Sequence, residues 1–416
     1  MIFSTEDISG RFGARAAGRI AALLADEPGR TVMTAFNTLD VETRIVGGAV
    51  RNALAGRTET DVDCATTATP ETVIKMAADA GLHAVPTGID HGTVTIVVDG
   101  KPVEITTLRT DVETHGRHAT VAFGTDWEAD AARRDFTVNA LYLDGRGDVH
   151  DPVGGAEDIE TRRIRFIGSS EERIAEDYLR TLRFFRFLAT FEAEPDAAAL
   201  SAIVKSRQGI RRLSAERVRK ELLVLLGAAN PVPALQLMQS HGVLADSLAG
   251  VPNVPRLERF LRLEAKTRSE ADPVLRLAVL AMHVSDDAGR LRDGLRLSNA
   301  ESDRIEAAFD GWWRLTPEAG EAALKEAIYR LGSGTFTDRM KVAWTQTRQN
   351  EPEQGWLDAI ALAGTWEAPK FPLSGKDLIA AGAEPGPDLG ERLKTLETRW
   401  IESGFALSRA QLLAMR

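Results

Sequence analysis

The sequence predicts an α+β chain: a small mixed sheet with helices on the N-terminal side, followed by an elongated all-helical C-terminal region. Two observations predict it. Strand-like runs and hairpin signals are confined to the stretch before residue 150, whereas helical periodicity dominates beyond residue 228, as in "VPRLERFLRLEAKTR" and "DPVLRLAVLAMHV". Pro-containing breaks at 251–255, 315–317 and 367–372 punctuate the helical part. The 416 residues suffice for two to four domains, and the composition is that of a globular protein with no biased segment. Cys64 is the single cysteine, so an internal disulfide is excluded, no Cys/His zinc cluster exists, and a reducing compartment is expected. The N-terminus "MIFSTEDISGRFG" lacks a signal-peptide pattern, and no apolar run reaches the roughly 20 residues that cross a bilayer. We expect an untargeted, cytoplasmic protein with no membrane partner. The formal net charge of -10 argues against a protein held on nucleic acid by bulk charge. Residues 161–220 nevertheless carry 14 Lys or Arg against 8 Asp or Glu, so a polyanion is expected there.

The first informative stretch is "RIVGGAVRNALAGRTETDVDCAT", residues 44–66. "TRIV" reads as a strand, Gly47-Gly48 as a tight turn and "AVRNALAG" as a two-turn helix ending at Gly56. Such a turn brings backbone N–H groups close to its guest, and Arg51 one turn in adds a charge suited to phosphate. Alone, the glycine pair reads first as a helix start with a packing glycine, since it has neither the Lys-Ser/Thr of a P-loop nor a GxGxxG. Asp61 and Asp63 change the weighting. At i and i+2 of a strand they leave on one face, and two ionised carboxylates side by side repel unless a cation lies between them. Magnesium suits that arrangement, because it takes one or two protein carboxylates and completes its shell with water and phosphates. A lone DxD is more often a solvated surface.

"GTVTIVVDGKPVEITTLRTD" reads as a hairpin turning at Asp99-Gly100. On its second strand Glu104 shares a face with Thr106, opposite Val103, Ile105 and Thr107, and is either a third metal carboxylate or an edge-strand residue facing solvent. Next, Arg133, Arg134 and Asp135 open an amphipathic segment with Phe136, Val138 and Leu141 on its apolar side and Asn139 one turn on. Two arginines can hold a triphosphate and an Asp or Asn a ribose hydroxyl, although an isolated Arg-Arg-Asp is usually a surface patch. "LYLDGRGDVHDPVGG" follows as a hairpin and loop. Residues 170–191, "SEERIAEDYLRTLRFFRFLATF", read as one helix in which Asp177, Arg180 and Arg183 recur every three residues beside a stripe of Tyr178, Leu182 and Phe185. An acid and an arginine at i and i+3 can imitate a base edge, accepting from an exocyclic amine and donating to a ring nitrogen or carbonyl. Cytosine and adenine offer that amine, so the pair would select C and A. As a bare pattern it is more often ordinary intrahelical pairing.

In this order "GGAVRNALAGRTETDVDCAT", "VEITTLR", "RRDFTVNAL", "DPVGGAEDI" and "EDYLRTLRFFRF" resemble the motifs of bacterial class II CCA-adding enzymes, the tRNA nucleotidyltransferases of the poly(A) polymerase-like superfamily. "LSAERVRKELLVLL" is similar to the next helical motif, and "LRLSNAE" and the tail "FPLSGKDLIAAGAEPGPDLGERL" extend the likeness more weakly. The resemblance implies a nucleotidyltransferase palm as catalytic head over 26–150, a helical neck with the nucleotide-selecting helix over 151–228, a helical body over 229–366 and a tRNA-binding tail over 367–416. It implies that Asp61 and Asp63 hold magnesium, with Glu104 as a third catalytic carboxylate. Gly47, Gly48 and Arg51 would cradle phosphates, and Arg133, Arg134, Asp135 and Asn139 would surround sugar and phosphates. Glu176, Asp177 and Arg180 would form the protein template for C or A, supported by Arg183 and Arg186. The implied substrates are CTP, ATP and tRNA, with no DNA.

Two departures from the family pattern stand out. Asn52 follows Arg51 where relatives commonly have Asp, and "RTDVETHGRHATVAF" lacks the tyrosine and second aspartate of the relatives' flexible loop, leaving Asp111 with Arg117 or Arg109 as matching parts. The expected activity is therefore template-independent addition of CCA to tRNA 3′ ends, with a poly(A) polymerase, a CC-adding enzyme and a non-catalytic RNA-binding protein as alternatives. His283 in "HVSDD" lacks the adjacent His-Asp pair expected of a phosphohydrolase and is not read as a metal ligand.

Overall fold

In the computed structural model, which describes residues 1–57, 61–115, 118–248 and 250–415, the strands lie before residue 151 apart from one short parallel pair, Arg163–Ile164 with Glu194–Pro195, inside the stretch expected to be helical. The sheet strands are β1 (Ile2–Phe3), β2 (Thr43–Val46), β3 (Asp63–Thr66), β4 (His83–Gly88), β5 (Thr93–Val98) and β6 (Lys101–Thr107). After a separate ribbon of β7 (Arg109–His115) and β8 (His118–Phe123), the sheet is completed by β9 (Tyr142–Leu143) and β10 (Val149–His150). Their spatial order is β1-β10-β9-β2-β3-β6-β5-β4, antiparallel throughout except for the parallel pair β3-β6. Asp99 and Gly100, with φ of 50° and 76°, turn β5 into β6 in the mirror-image geometry that an Asp-Gly pair favours.

Alternation decides what each face carries. Ile45, Cys64, Val103 and Ile105 belong to the core under α2 (Ala14–Ala25), α4 (Gly48–Leu54) and α5 (Pro70–Asp79), numbered after α1 (Thr5–Phe12) and with α3 (Gly29–Ala35) between. Val46 and Ala65, one residue on, pack instead with Tyr142, Ala131 and Ile167 on the opposite side. Asp63 has the parity of Ala65 and is paired across the parallel ladder with Glu104, so both carboxylates leave the sheet on the side away from the helical layer.

Three sequence expectations change. Residues 170–191 are two helices, α8 (Ser170–Glu176) and α9 (Leu179–Phe191), because Asp177 adopts extended φ/ψ of -153° and 108° between them. Arg133, Arg134 and Asp135 close α6 (Trp127–Ala132) instead of opening a helix; Asp130 within α6 gathers both arginines behind it. The segment matched to a flexible loop is the β7-β8 ribbon, with a register shift between Asp111 and Glu113. Arg117 and the Asp111 side chain lie outside the described residues, while Arg109 donates to the His91 carbonyl.

The chain divides into two compact units, Met1–Ser247 and Leu248–Arg416. The first also contains α7 (Gly155–Glu160), α10 (Ala197–Ser206) and α11 (Ala215–Leu226). The second is helical and has its own cores, one around Trp344, Phe336 and Met340 and another around Trp400, Leu396 and Leu412. Among the described residues no helix is long and apolar enough to cross a membrane.

Candidate active site

β2, α4, β3, the end of α6, α9 and α11 bound one cleft of about 470 Å³. Gly47, Gly48, Arg51, Asp63, Arg133, Arg134, Asp135, Asn139, Asp177, Arg180, Arg183 and Arg186 all line it, so residues from four separated stretches meet there. Asp61, Glu104 and Glu176 stand just outside its lining. Asp61 faces a neighbouring cleft with Arg57 and Lys101, and Glu176 pairs with Arg180 and Arg173.

The turn that opens the cleft depends on Gly47, whose φ of 72° few other residues adopt and whose N–H donates to the Leu141 carbonyl at 3.1 Å. α4 then buries Ala49, Val50, Ala53 and Leu54 in the core and sends Arg51 to the other side. Arg51 donates to the amide oxygens of Asn139 and Asn52 and lies over the rings of Phe187 and Phe191 at 5.0 and 4.9 Å. Burial and the nearby Arg186 guanidinium push it down to about 9. A guanidinium held by amides and aromatic faces among other arginines favours an anion beside it.

Arg133 and Arg134 are fixed from behind. Asp130, 1% exposed, accepts from both, at 2.5 and 2.9 Å from their terminal nitrogens, and from the Tyr142 hydroxyl at 2.9 Å. Burial pushes its carboxyl up, but Arg134 and Arg133 outweigh that and hold it below the ordinary range. Asp135 is likewise desolvated yet held down to about 2 by Arg183, which donates at 2.7 Å, and by Asn139 at 2.8 Å.

Asp63 moves the other way. Loss of water around it, and then repulsion from Glu104 and Asp61, push its carboxyl up to about 6 against the opposing Arg134. Crowded carboxylates of this kind are relieved by a cation. Among the described residues no three His, Cys, Asp or Glu side chains gather closely enough to hold an ion by themselves. That donor set fits a hard cation taking one or two carboxylates and completing its shell from phosphate and water better than it fits zinc.

The Asp177–Arg180 pair is not an intrahelical ion pair. Asp177 accepts from the Leu179 N–H at 3.0 Å and from both terminal nitrogens of Arg217, at 3.3 and 2.6 Å, while Arg180 is held by Glu176 and the Arg173 carbonyl. Arg217, Glu221 and Asp130 escaped the sequence reading. Glu221, 7% exposed, stands 2.7 Å from Arg186 and 4.0 Å from Arg183. Their signal was present: Arg217 and Glu221 are i and i+4 in "LSAERVRKELL", and Asp130 precedes the arginine pair by three and four residues.

Residues 43–165 match the family described as the poly A polymerase head domain, and residues 194–252 one described as the probable RNA and SrmB-binding site of polymerase A. A relative from Danio rerio, CCA tRNA nucleotidyltransferase 1, mitochondrial, is 33% identical over 396 residues, covering 91% of this chain and 88% of its own. The CCA-adding enzyme of Geobacillus kaustophilus is 40% identical over 206 residues, 49% of this chain and 50% of its own. Among solved structures, a Bacillus stearothermophilus CCA-adding enzyme in complex with CTP superposes with a TM-score of 0.76 at 28% identity, covering 94% of this chain and 96% of that one.

Proposed function

The chain belongs to the CCA-adding enzymes, the CCA tRNA nucleotidyltransferases, and we propose that Asp61 and Asp63 carry its transfer chemistry while the arginine-lined cleft holds and selects CTP and ATP. It adds CCA to tRNA 3′ ends without a nucleic-acid template: the RNA 3′ hydroxyl displaces pyrophosphate from the incoming nucleotide.

The family uses a divalent metal, which we take to be magnesium. Asp61 and Asp63 would hold it, and Glu104, paired with Asp63 across the ladder, would act through its charge on Asp63 without joining the ion's shell. When bound it supplies charge neutralisation at the triphosphate and a more acidic 3′ hydroxyl. The protein's own groups do the rest. Gly47 and Gly48 let the backbone approach the phosphates without a side chain in the way. Arg51, Arg183 and Arg186 supply positive charge on one wall, and Arg133 and Arg134, fixed by Asp130, supply it on the other. Asn139 and Asp135 are assigned to the ribose hydroxyls. Asp177 has used three of about four acceptor positions on Leu179 and Arg217, leaving Oδ2 to accept from the exocyclic amine of C or A. An ionised carboxylate repels the carbonyl that U and G present there, and Arg180 completes the pair as donor. We assign binding of the tRNA body to residues 229–366 and the tail 367–416, and place the enzyme in the cytoplasm, a reading supported by its lone, buried Cys64.

The convergence of Asp63 with residues of four other stretches on one cleft carries this reading. Its test is incorporation of labelled CTP and ATP, with magnesium, into tRNA transcripts ending before CCA, after the first C and after CC. Two C additions, one A and a stop are expected. Open-ended A addition or a stop after CC would overturn it.

A further inference from the structure

Tyr178 sits in the break between α8 and α9, immediately after Asp177, and its ring lies against the backbone of Gly209 in the 3-10 segment Arg207–Arg212. A Cβ at Gly209 would stand 2.1 Å from Cδ1 and Cε1 of that ring and 2.4 Å from Cγ. Gly209 is buried and lies outside the left-handed region of φ. The glycine is therefore needed for room, since any residue could adopt its backbone conformation, and the room is filled by an aromatic ring. Tyr178 also borders a cavity of about 420 Å³ shared with Asp177 and Arg217. A ring driven off Gly209 has that space to move into and would take the break between the helices with it.

The break is what aims Asp177. Its extended backbone lifts the carboxylate off the helical path, and Leu179 and Arg180 return hydrogen bonds to Asp177 at 3.0 Å, one to its side chain and one to its carbonyl. Arg217 fixes the carboxylate, but no interaction of Arg217 fixes the backbone that carries it; the Tyr178 ring on Gly209 does. We propose that the Tyr178–Gly209 seat sets the position of Asp177, which makes Tyr178 a positioning residue for nucleotide choice. This rests on Asp177 being the base-reading acceptor. Readout of one amine against one carbonyl requires placement within about 0.5 Å, and a displacement near 1 Å costs on the order of a hundredfold in rate.

The test measures kcat/KM for CTP and for UTP on tRNA ending before CCA, KM for tRNA, and thermal unfolding. It uses the full-length Gly209→Ala, Tyr178→Leu, Tyr178→Phe and Asp177→Ala variants. Gly209→Ala and Tyr178→Leu are expected to narrow the CTP-to-UTP preference by about tenfold or more, with KM for tRNA unchanged. Tyr178→Phe keeps the ring and should keep the preference. If Gly209→Ala does not fold, Tyr178→Leu decides alone. Wild-type preference in Tyr178→Leu, or a Tyr178→Phe as impaired as it, would overturn the proposal. An unchanged preference in Asp177→Ala would defeat the base-reading assignment itself. Altered preference in Asp177→Ala with none in Tyr178→Leu would defeat the seat alone.

Discussion

Asp63 and Asp135 are the same side chain on two walls of one cleft, and their surroundings drive them in opposite directions. Asp63 has carboxylates for neighbours and is pushed up to about 6, whereas Asp135 has Arg183 and two hydrogen-bond donors and is held down to about 2. Asp135 thus has its counter-charge built into α9, whereas Asp63 faces mainly other carboxylates. Replacing Asp63 by Asn removes the crowding, so the variant should melt on the order of 1–3 °C higher in chelator at neutral pH, while incorporation falls at least about a thousandfold. A lower melting temperature would show that the carboxylates stabilise the metal-free chain. For Asp135 the sign is set by a folded pKa below the unfolded one of about 3.9. Its contribution is present above about pH 4 and lost as the pH falls toward 2. The melting temperature of Asp135→Asn should lie below wild type at pH 5 and approach it at pH 2.5; a gap independent of pH would mean that the charge of Asp135 is not what stabilises the site.

Within elements, α6 shows how a six-residue helix can position two arginines of the cleft. Asp126 caps it by accepting from Glu128 and Ala129 N–H, and Asp130, at i to the i+3 and i+4 arginines, pairs with both and leaves the cluster one positive charge in excess. Asp130→Asn would leave two guanidinium groups with a neutral buried partner. Breaking a buried ionic cluster on one side costs about 3–5 kcal/mol, so a lower melting temperature and a KM for CTP and ATP raised together are expected. A rise for one nucleotide alone would move Arg133 and Arg134 from the triphosphate to the base. This arrangement was only partly legible in the sequence. Period-2 alternation gave β2, β5 and β6, the Asp-Gly turn and the face of Glu104, because local sterics and burial fix them. The break at Asp177 was not legible. "AEDYLR" has uninterrupted helical periodicity, whereas the contacts made at the break come from far along the chain: Arg217 on the Asp177 carboxylate and Gly209 against the Tyr178 ring, 40 and 32 residues after Asp177. Asp130 was hidden differently: its spacing to the arginines is local, but its third partner, the Tyr142 hydroxyl, comes from β9.

Across the whole molecule, charge is divided against the overall balance. The chain is formally -10, yet residues 161–220 carry an excess of six positive charges, and that stretch supplies the neck side of the cleft. A net negative protein repels polyanions at long range, so an RNA is held where the local excess outweighs the whole, within roughly the 8 Å over which charge acts at physiological salt. Lys205 and Arg211 belong to this excess, and their side chains are 66% and 72% exposed, with only Glu171 and Asp246 as salt-bridge partners among the described residues. Both lie away from the residues that line the cleft. Each phosphate neutralised contributes about 0.7–0.9 to the slope of log K against log salt. Lys205→Ala with Arg211→Ala should therefore lower that slope for tRNA by about 1.4–1.8 and leave kcat at saturating tRNA unchanged. An unaltered slope would place the phosphate contacts on the second unit, Leu248–Arg416, and leave the positive stretch to the nucleotide alone.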